Sequence, residues 1–292
     1  MGANFLDLSG EEAEPDSAAA VIIPFPYEGG ISYMKGTARA PEAIIRASAH
    51  LELYDEELGA ETFRMGIATA PAVQVPPDGD TMLEAAAAAV RNGLNSGKFI
   101  VLLGGDHSIT SGFVRAVSEN YPRFSVIQID AHADLRDVYQ GCRLSHACTM
   151  ARIREMTPHT LQIGIRSLST AEAERIDRER LQVCTMRQYR NGQFDLGGAL
   201  RALPDPVFLT LDVDVFDWSV IAGTGTPEPG GMTWDEGLTL LRAIFSTRRV
   251  IGLDCVELIP SDANSVFAAA KLIYKMLGYW RVTCNPAAAK MF

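Results

Sequence analysis

Phe99–Leu103 reads FIVLL, Ser125–Ile129 reads SVIQI and Val207–Leu211 reads VFLTL. Each is a nearly unbroken apolar run of strand length, without alternation of apolar and polar residues. A strand of that kind has to be covered on both faces, and a parallel sheet between two helical layers does this. Ala20–Ile23, Leu161–Ile165 and Val250–Leu253 are further strand candidates. Helical patterns alternate with them over Pro41–Leu53, Thr81–Ser96, Ile109–Asn120, His146–Glu155, Thr170–Arg178, Trp234–Phe245 and Asn264–Leu277. The alternation predicts an α/β fold: a single three-layer α/β/α domain over residues 1–292, built on a mainly parallel sheet. No linker-like stretch divides the chain. Gln74–Asp80 and the Gly/Pro-rich Ala222–Gly231 read as loops, and the acidic N-terminal segment, about 1–18, is expected to be flexible.

The carboxyl ends of three of these strands point to chemistry. Phe99–Leu103 runs into Gly104-Gly105-Asp106-His107-Ser108. Ser125–Ile129 runs into Asp130-Ala131-His132-Ala133-Asp134, and Val207–Leu211 into Asp212-Val213-Asp214-Val215-Phe216-Asp217. In an open parallel sheet, ligands bind beyond the carboxyl ends of the strands. In extended chain, residues i, i+2 and i+4 point to one side. Asp130, His132 and Asp134 can therefore converge on one point, and Asp212 and Asp214 on another. Gathering four carboxylates without a cation costs several kcal/mol in repulsion and desolvation. Two divalent ions neutralise that charge. The donors are carboxylate and imidazole with no thiolate, which suits Mn²⁺ best and also admits Fe²⁺, Co²⁺ or Ni²⁺. Asp106 and Ser108 also fit a helix cap, and Asp217 fits a loop role.

The remaining composition narrows the class. The net charge is −10 and no basic stripe is present, which argues against a nucleic-acid partner. No apolar run reaches the roughly 18 residues of a membrane span. Met1–Asp16 has neither a basic nor an apolar signal region, so a cytoplasmic protein is expected. The five cysteines contain no C-x-x-C pair, the pattern of reduced thiols rather than of a disulfide framework.

GGDHS at 104–108, DAHAD at 130–134 and DVDVFD at 212–217 resemble the signature motifs of the ureohydrolases, the arginase/agmatinase family. Gly223–Gly231 (GTGTPEPGG), Asp254–Pro260 (DCVELIP) and Ala268–Leu277 extend the resemblance, which covers about Pro24 to Leu277. It implies an arginase-like fold with two Mn²⁺ ions. One would be held by His107, Asp130, Asp134 and Asp212, the other by Asp130, His132, Asp212 and Asp214, so that Asp130 and Asp212 bridge. It also implies hydrolysis of a guanidino group to urea and an amine. His146 matches the family's proton shuttle, and Glu257 the carboxylate that pairs with the guanidinium. Ser145-His146 also fits a plain helix start. The resemblance further implies a homo-oligomer, trimer or hexamer.

The loop Leu135–Met150 (LRDVYQGCRLSHACTM) resembles that of bacterial and archaeal agmatinases. The arginase residues for an α-carboxylate and α-amino group have no counterpart in Leu135–Arg143 or Ser167–Ser169. The resemblance therefore implies agmatine as the small-molecule substrate. Aminopropylagmatine stays open, as do guanidinobutyrate, for which Arg136 or Arg143 could supply a carboxylate partner, and formimidoylglutamate. A metal-dependent binding protein without catalysis is the non-enzymatic alternative. His50 and His159 are expected to take no part.

Overall fold

The computed structural model describes residues 4–75 and 78–284. Their strands are β1 (Ala20–Phe25), β2 (Tyr54–Asp55), β3 (Ala60–Glu61), β4 (Ile67–Thr69), β5 (Phe99–Gly104), β6 (Ser125–Ile129), β7 (Thr160–Ile165), β8 (Gln182–Thr185), β9 (Val207–Asp212) and β10 (Val250–Val256). The α-helices are α1 (Ala40–Ser48), α2 (Gly79–Asn95), α3 (Thr110–Asn120), α4 (Thr149–Arg154), α5 (Thr170–Glu179), α6 (Met186–Arg190), α7 (Leu196–Ala202), α8 (Trp234–Thr247) and α9 (Ala263–Cys284).

Eight strands form one sheet in the order β4-β1-β5-β10-β9-β6-β7-β8. Every neighbouring pair in it is parallel. The sheet alternates its side chains between two cores. Phe99, Val101 and Leu103 of β5 pack with Ile44, Leu240 and Ile273 from α1, α8 and α9. Ile100 and Leu102 of the same strand pack on the opposite face with Ala86, Val90 and Phe113 from α2 and α3. This is the three-layer architecture that the apolar runs require.

The chain order places a break at the centre of the sheet. β5 and β6 are successive in sequence, yet β10 and β9 lie between them. Successive connections diverge at such a point and leave a crevice at the carboxyl ends of the strands.

Within the N-terminal segment, Phe5, Leu6 and Leu8 pack onto the fold, while most of residues 9–17 are exposed. Phe5 and Leu6 are buried, the Phe5 amide donates to Thr69 Oγ1 (2.9 Å) and the Leu6 amide to Ser48 Oγ (2.7 Å). Two large apolar side chains placed against α1 and β4 outweigh the acidic residues around them. The Gln74–Asp80 loop lies partly outside the described residues, and α2 begins within it at Gly79, capped by the Asp78 side chain on the Thr81 amide.

Candidate active site

β5, β6, β9 and β10, the four central strands, deliver the charged residues to the crevice. After β5 the chain turns through Gly105, where a Cβ would overlap the Tyr27 carbonyl oxygen. Asp106 then accepts the Ser108 amide (3.0 Å) and the amides of Gly29 and Gly30 (2.7 Å each). It is a cap and a loop anchor, and it turns His107 inward. Asp130 comes directly after β6, and Asp134 adopts a left-handed conformation (φ 51°) that redirects the loop. Asp212 closes β9 and accepts the Asp214 amide on Oδ1 (2.9 Å). Glu257 comes directly after β10, also left-handed (φ 65°).

These turns gather the expected residues. Around His107 Nδ1 stand Asp134 Oδ2 at 3.1 Å, Asp130 Oδ2 at 3.2 Å and Asp212 Oδ2 at 3.4 Å. His107 Nε2 lies 2.8 Å from Thr210 Oγ1, while Nδ1 is buried without a hydrogen-bond partner among the described residues. A second group forms beside it, with His132 Nδ1 2.8 Å from Asp214 Oδ2 and 3.8 Å from Asp130 Oδ1. Two sets of donor atoms are each tight enough to hold one ion: His107, Asp130 and Asp212, and Asp130, His132 and Asp214. Asp130 belongs to both. Asp212 stands in the first set, with Oδ2 toward His107 and Oδ1 accepting the Asp214 amide, and Asp134 lies beside that set, 3.1 Å from His107 Nδ1.

The electrostatics match that crowding. Burial, and then Asp214 and Asp134, push the Asp130 carboxyl up to about 7. Burial, Asp214 and Asp130 hold Asp212 well above the usual carboxylate range. Burial disfavours charge on His132, but Asp214 and Asp130 outweigh it and push the imidazole up to about 11. Carboxylates this deeply buried repel one another unless a cation sits among them, and an imidazole nitrogen without a partner supplies one more donor. The residues present therefore fit divalent metals.

Glu257 links this cluster to His146. Its Oε1 accepts the His107 amide (2.8 Å) and lies 3.5 Å from His146 Nδ1. Its Oε2 is buried and has no hydrogen-bond partner among the described residues. At Gly225 a Cβ would come within 3.1 Å of that oxygen. Burial disfavours the charged His146 ring, but Glu257 outweighs it and pushes His146 up to about 8. A cavity of about 250 Å³ opens onto the cluster, lined among others by Ser32, His132, Asp134, Arg136, His146 and Asp212.

Other sequence candidates fall elsewhere. Asp217 caps a turn by accepting the Ser219 amide and hydroxyl. Arg143 pairs at the surface with Glu155 (2.9 Å). Arg136 does reach the cavity wall, where its guanidinium lies 4.9 Å over the Tyr139 ring. His50 lies just past the end of α1, and His159 precedes β7 at the opposite edge of the sheet. Sequence reasoning passed over Gln128, whose Nε2 donates to Asp130 Oδ2 (2.5 Å), and Thr210 beneath His107. Both carried a signal: each is a polar residue near the end of an apolar strand, two places before the aspartate and so on the same side.

The sequence model of the arginase family matches residues 18–278. The chain belongs to the arginase family. It is 41% identical over 273 residues to the N(1)-aminopropylagmatine ureohydrolase of Synechocystis sp., covering 90% of this chain and 89% of that protein. It is 33% identical over 264 residues to the agmatinase of Pyrococcus horikoshii, covering 88% and 90%. Among solved structures, the agmatine ureohydrolase of Thermoplasma volcanium superposes with a TM-score of 0.84 at 27% identity, covering 94% of this chain and 92% of that one. Arginase-family enzymes are binuclear and metal-dependent, and the two donor groups sharing Asp130 suit that requirement. Among the described residues no helix is long and apolar enough to cross a membrane.

Proposed function

We propose that this ureohydrolase binds two Mn²⁺ ions and hydrolyses agmatine to urea and putrescine, a polyamine. The observation that carries the reading is Glu257: a carboxylate buried beside the candidate metal cluster, with one oxygen left without a partner among the described residues. A guanidinium, planar and permanently charged, is the group such an oxygen is suited to receive.

His107, Asp130, Asp134 and Asp212 would hold one ion, and Asp130, His132, Asp212 and Asp214 the other. Oxygen and imidazole donors without thiolate favour manganese. When bound, the metals supply an activated water, the nucleophile that a resonance-stabilised guanidinium carbon needs. The protein supplies the rest. Glu257 orients the guanidinium, an attraction that its buried surroundings strengthen. His146, held protonated near neutral pH by the same carboxylate, provides the proton that lets the amine leave.

The tail selects the substrate. Arginine would bring an α-carboxylate into a cavity lined by Asp134 and Asp212, where Arg136, the one Lys or Arg in the lining among the described residues, is already stacked on Tyr139 and 3.8 Å from Glu172. Agmatine makes no such demand. Aminopropylagmatine is the second reading, favoured by the 41% identical relative. We also propose that the chain works as a single domain, in the cytoplasm, as a homo-oligomer, trimer or hexamer. Family resemblance supports the assembly, and sedimentation velocity tests it.

A urea-release screen with Mn²⁺ over agmatine, aminopropylagmatine, arginine, guanidinobutyrate and formimidoylglutamate tests the function. One unsatisfied buried carboxylate costs about 2.7 kcal/mol, so agmatine or its aminopropyl derivative should exceed arginine by roughly 10²-fold in kcat/KM. Arginine equalling both would overturn the reading, and formamide in place of urea would point to formimidoyl hydrolysis.

A further inference from the structure

The loop between β1 and α1 presents a hydroxyl, that of Ser32, to the proposed proton donor. The loop is pinned at several points. Asp106 takes the amides of Gly29 and Gly30, and Glu28 takes those of Gly36 (2.5 Å) and Ala38 (3.2 Å). The Gly30 carbonyl in turn accepts the His146 amide (3.2 Å) and the Ser145 hydroxyl (3.1 Å). This clamp leaves Tyr33 72% exposed, while its neighbour Ser32 lines the cavity. Ser32 Oγ lies 2.8 Å from His146 Nε2.

The two ring nitrogens of His146 thus have different partners. Glu257 Oε1 lies 3.5 Å from Nδ1, and an ionised carboxylate only accepts, which favours the tautomer with hydrogen on Nδ1. Nε2 is then the nitrogen that gains and loses the mobile proton. Its partner must donate when the ring is neutral and accept when the ring is charged. A hydroxyl does both.

Resting on the proton role of His146 in the proposed function, we propose that Ser32 is a further catalytic residue, a relay between His146 and the leaving amine. The Ser32 Oγ–H bond breaks as its proton passes to the departing nitrogen. Oγ takes the Nε2 proton in the same step, which restores the hydroxyl and leaves His146 neutral. The carbon–nitrogen electron pair leaves with the amine. Charge and protons balance without any co-reactant.

Ser32→Ala tests the relay in the metal-loaded enzyme, with whichever guanidino compound releases urea. Losing the whole acid–base group costs about 10²- to 10⁴-fold, so kcat should fall by about 10- to 10²-fold at little-changed KM and metal content. Ser32→Thr, which keeps the hydroxyl, should recover most of the loss. In a His146→Ala background Ser32→Ala should have almost no further effect, because the two act in one path. A proton inventory of kcat in mixed H₂O and D₂O should show two protons in flight, and one in Ser32→Ala. A change of kcat that multiplies independently of His146→Ala would overturn the relay, as would an unaltered kcat.

A readout that needs no substrate separates this proposal from the functional one. In the ¹⁵N spectrum, Ser32→Ala should move the His146 Nε2 resonance and leave Nδ1 nearly in place. If no guanidino compound releases urea, the functional reading falls while this spectrum still reports on the contact. An unmoved Nε2 would overturn the proposal even in an active enzyme.

Discussion

His107 and Asp130 show how much one side chain decides. Asp130 offers Oδ2 toward His107 and Oδ1 toward His132, so both donor groups depend on it. Asp130→Ala is expected to abolish binding of both metals, and His107→Ala to weaken mainly one, as read by elemental analysis after dialysis. His146 belongs to neither group. His146→Ala should therefore keep its metal content while kcat falls by roughly 10²- to 10⁴-fold, and a variant stripped of metal would disprove the proton role. At this scale the sequence was most informative for the charged residues, because each cluster directly follows an apolar strand, although the left-handed turn at Asp134 sends it toward His107 while His132 meets Asp214. It was silent on Ser32. That residue sits in a GGISY loop, 114 positions from His146, and only tertiary folding brings them together.

At the scale of elements, what could be read from sequence depended on burial and length. β1, β5, β6, β7, β9 and β10 are covered on both faces and show as apolar runs. β4 has three residues and β8 four, and both lie at the sheet edges, where neighbours impose less pattern. β2 and β3 have two residues each. α7 contains Gly197 and Gly198, which weaken a helical pattern. α9 runs to Cys284, seven residues past the expected end. It is fastened to the β2–β3 hairpin by Lys275, which lies 2.8 Å from Asp55, and both side chains are fully buried. Burial disfavours the Lys275 charge, but Asp55 and Glu56 outweigh it and raise it above 10.5. Its folded value being raised, the contribution is fully present below pH 10.5 and is lost only as pH climbs past the folded value. Lys275→Ala strands Asp55 without a cation and should cost about 3–5 kcal/mol in denaturant titrations near neutral pH.

For the whole molecule, the proposed metals tie stability to occupancy. Ions that bind only the folded chain add about 2.7 kcal/mol per site when free metal is 100-fold above Kd. For large domains about 2–4 °C of Tm accompanies each kcal/mol, so two sites make a shift of roughly 10–20 °C. Calorimetry before and after chelation should show it, and an unchanged Tm would deny the metal a structural share. The strand order carries another consequence, for synthesis. Removing β10 leaves β4-β1-β5 and β9-β6-β7-β8 with no shared ladder. Until the ribosome has released residues 250–256, His107 rides on one piece and the aspartates at 130, 134, 212 and 214 on the other. A message cut short before codon 250 therefore yields no weakened enzyme, only two half-sheets with bare inner edges, open to pairing with any neighbouring chain.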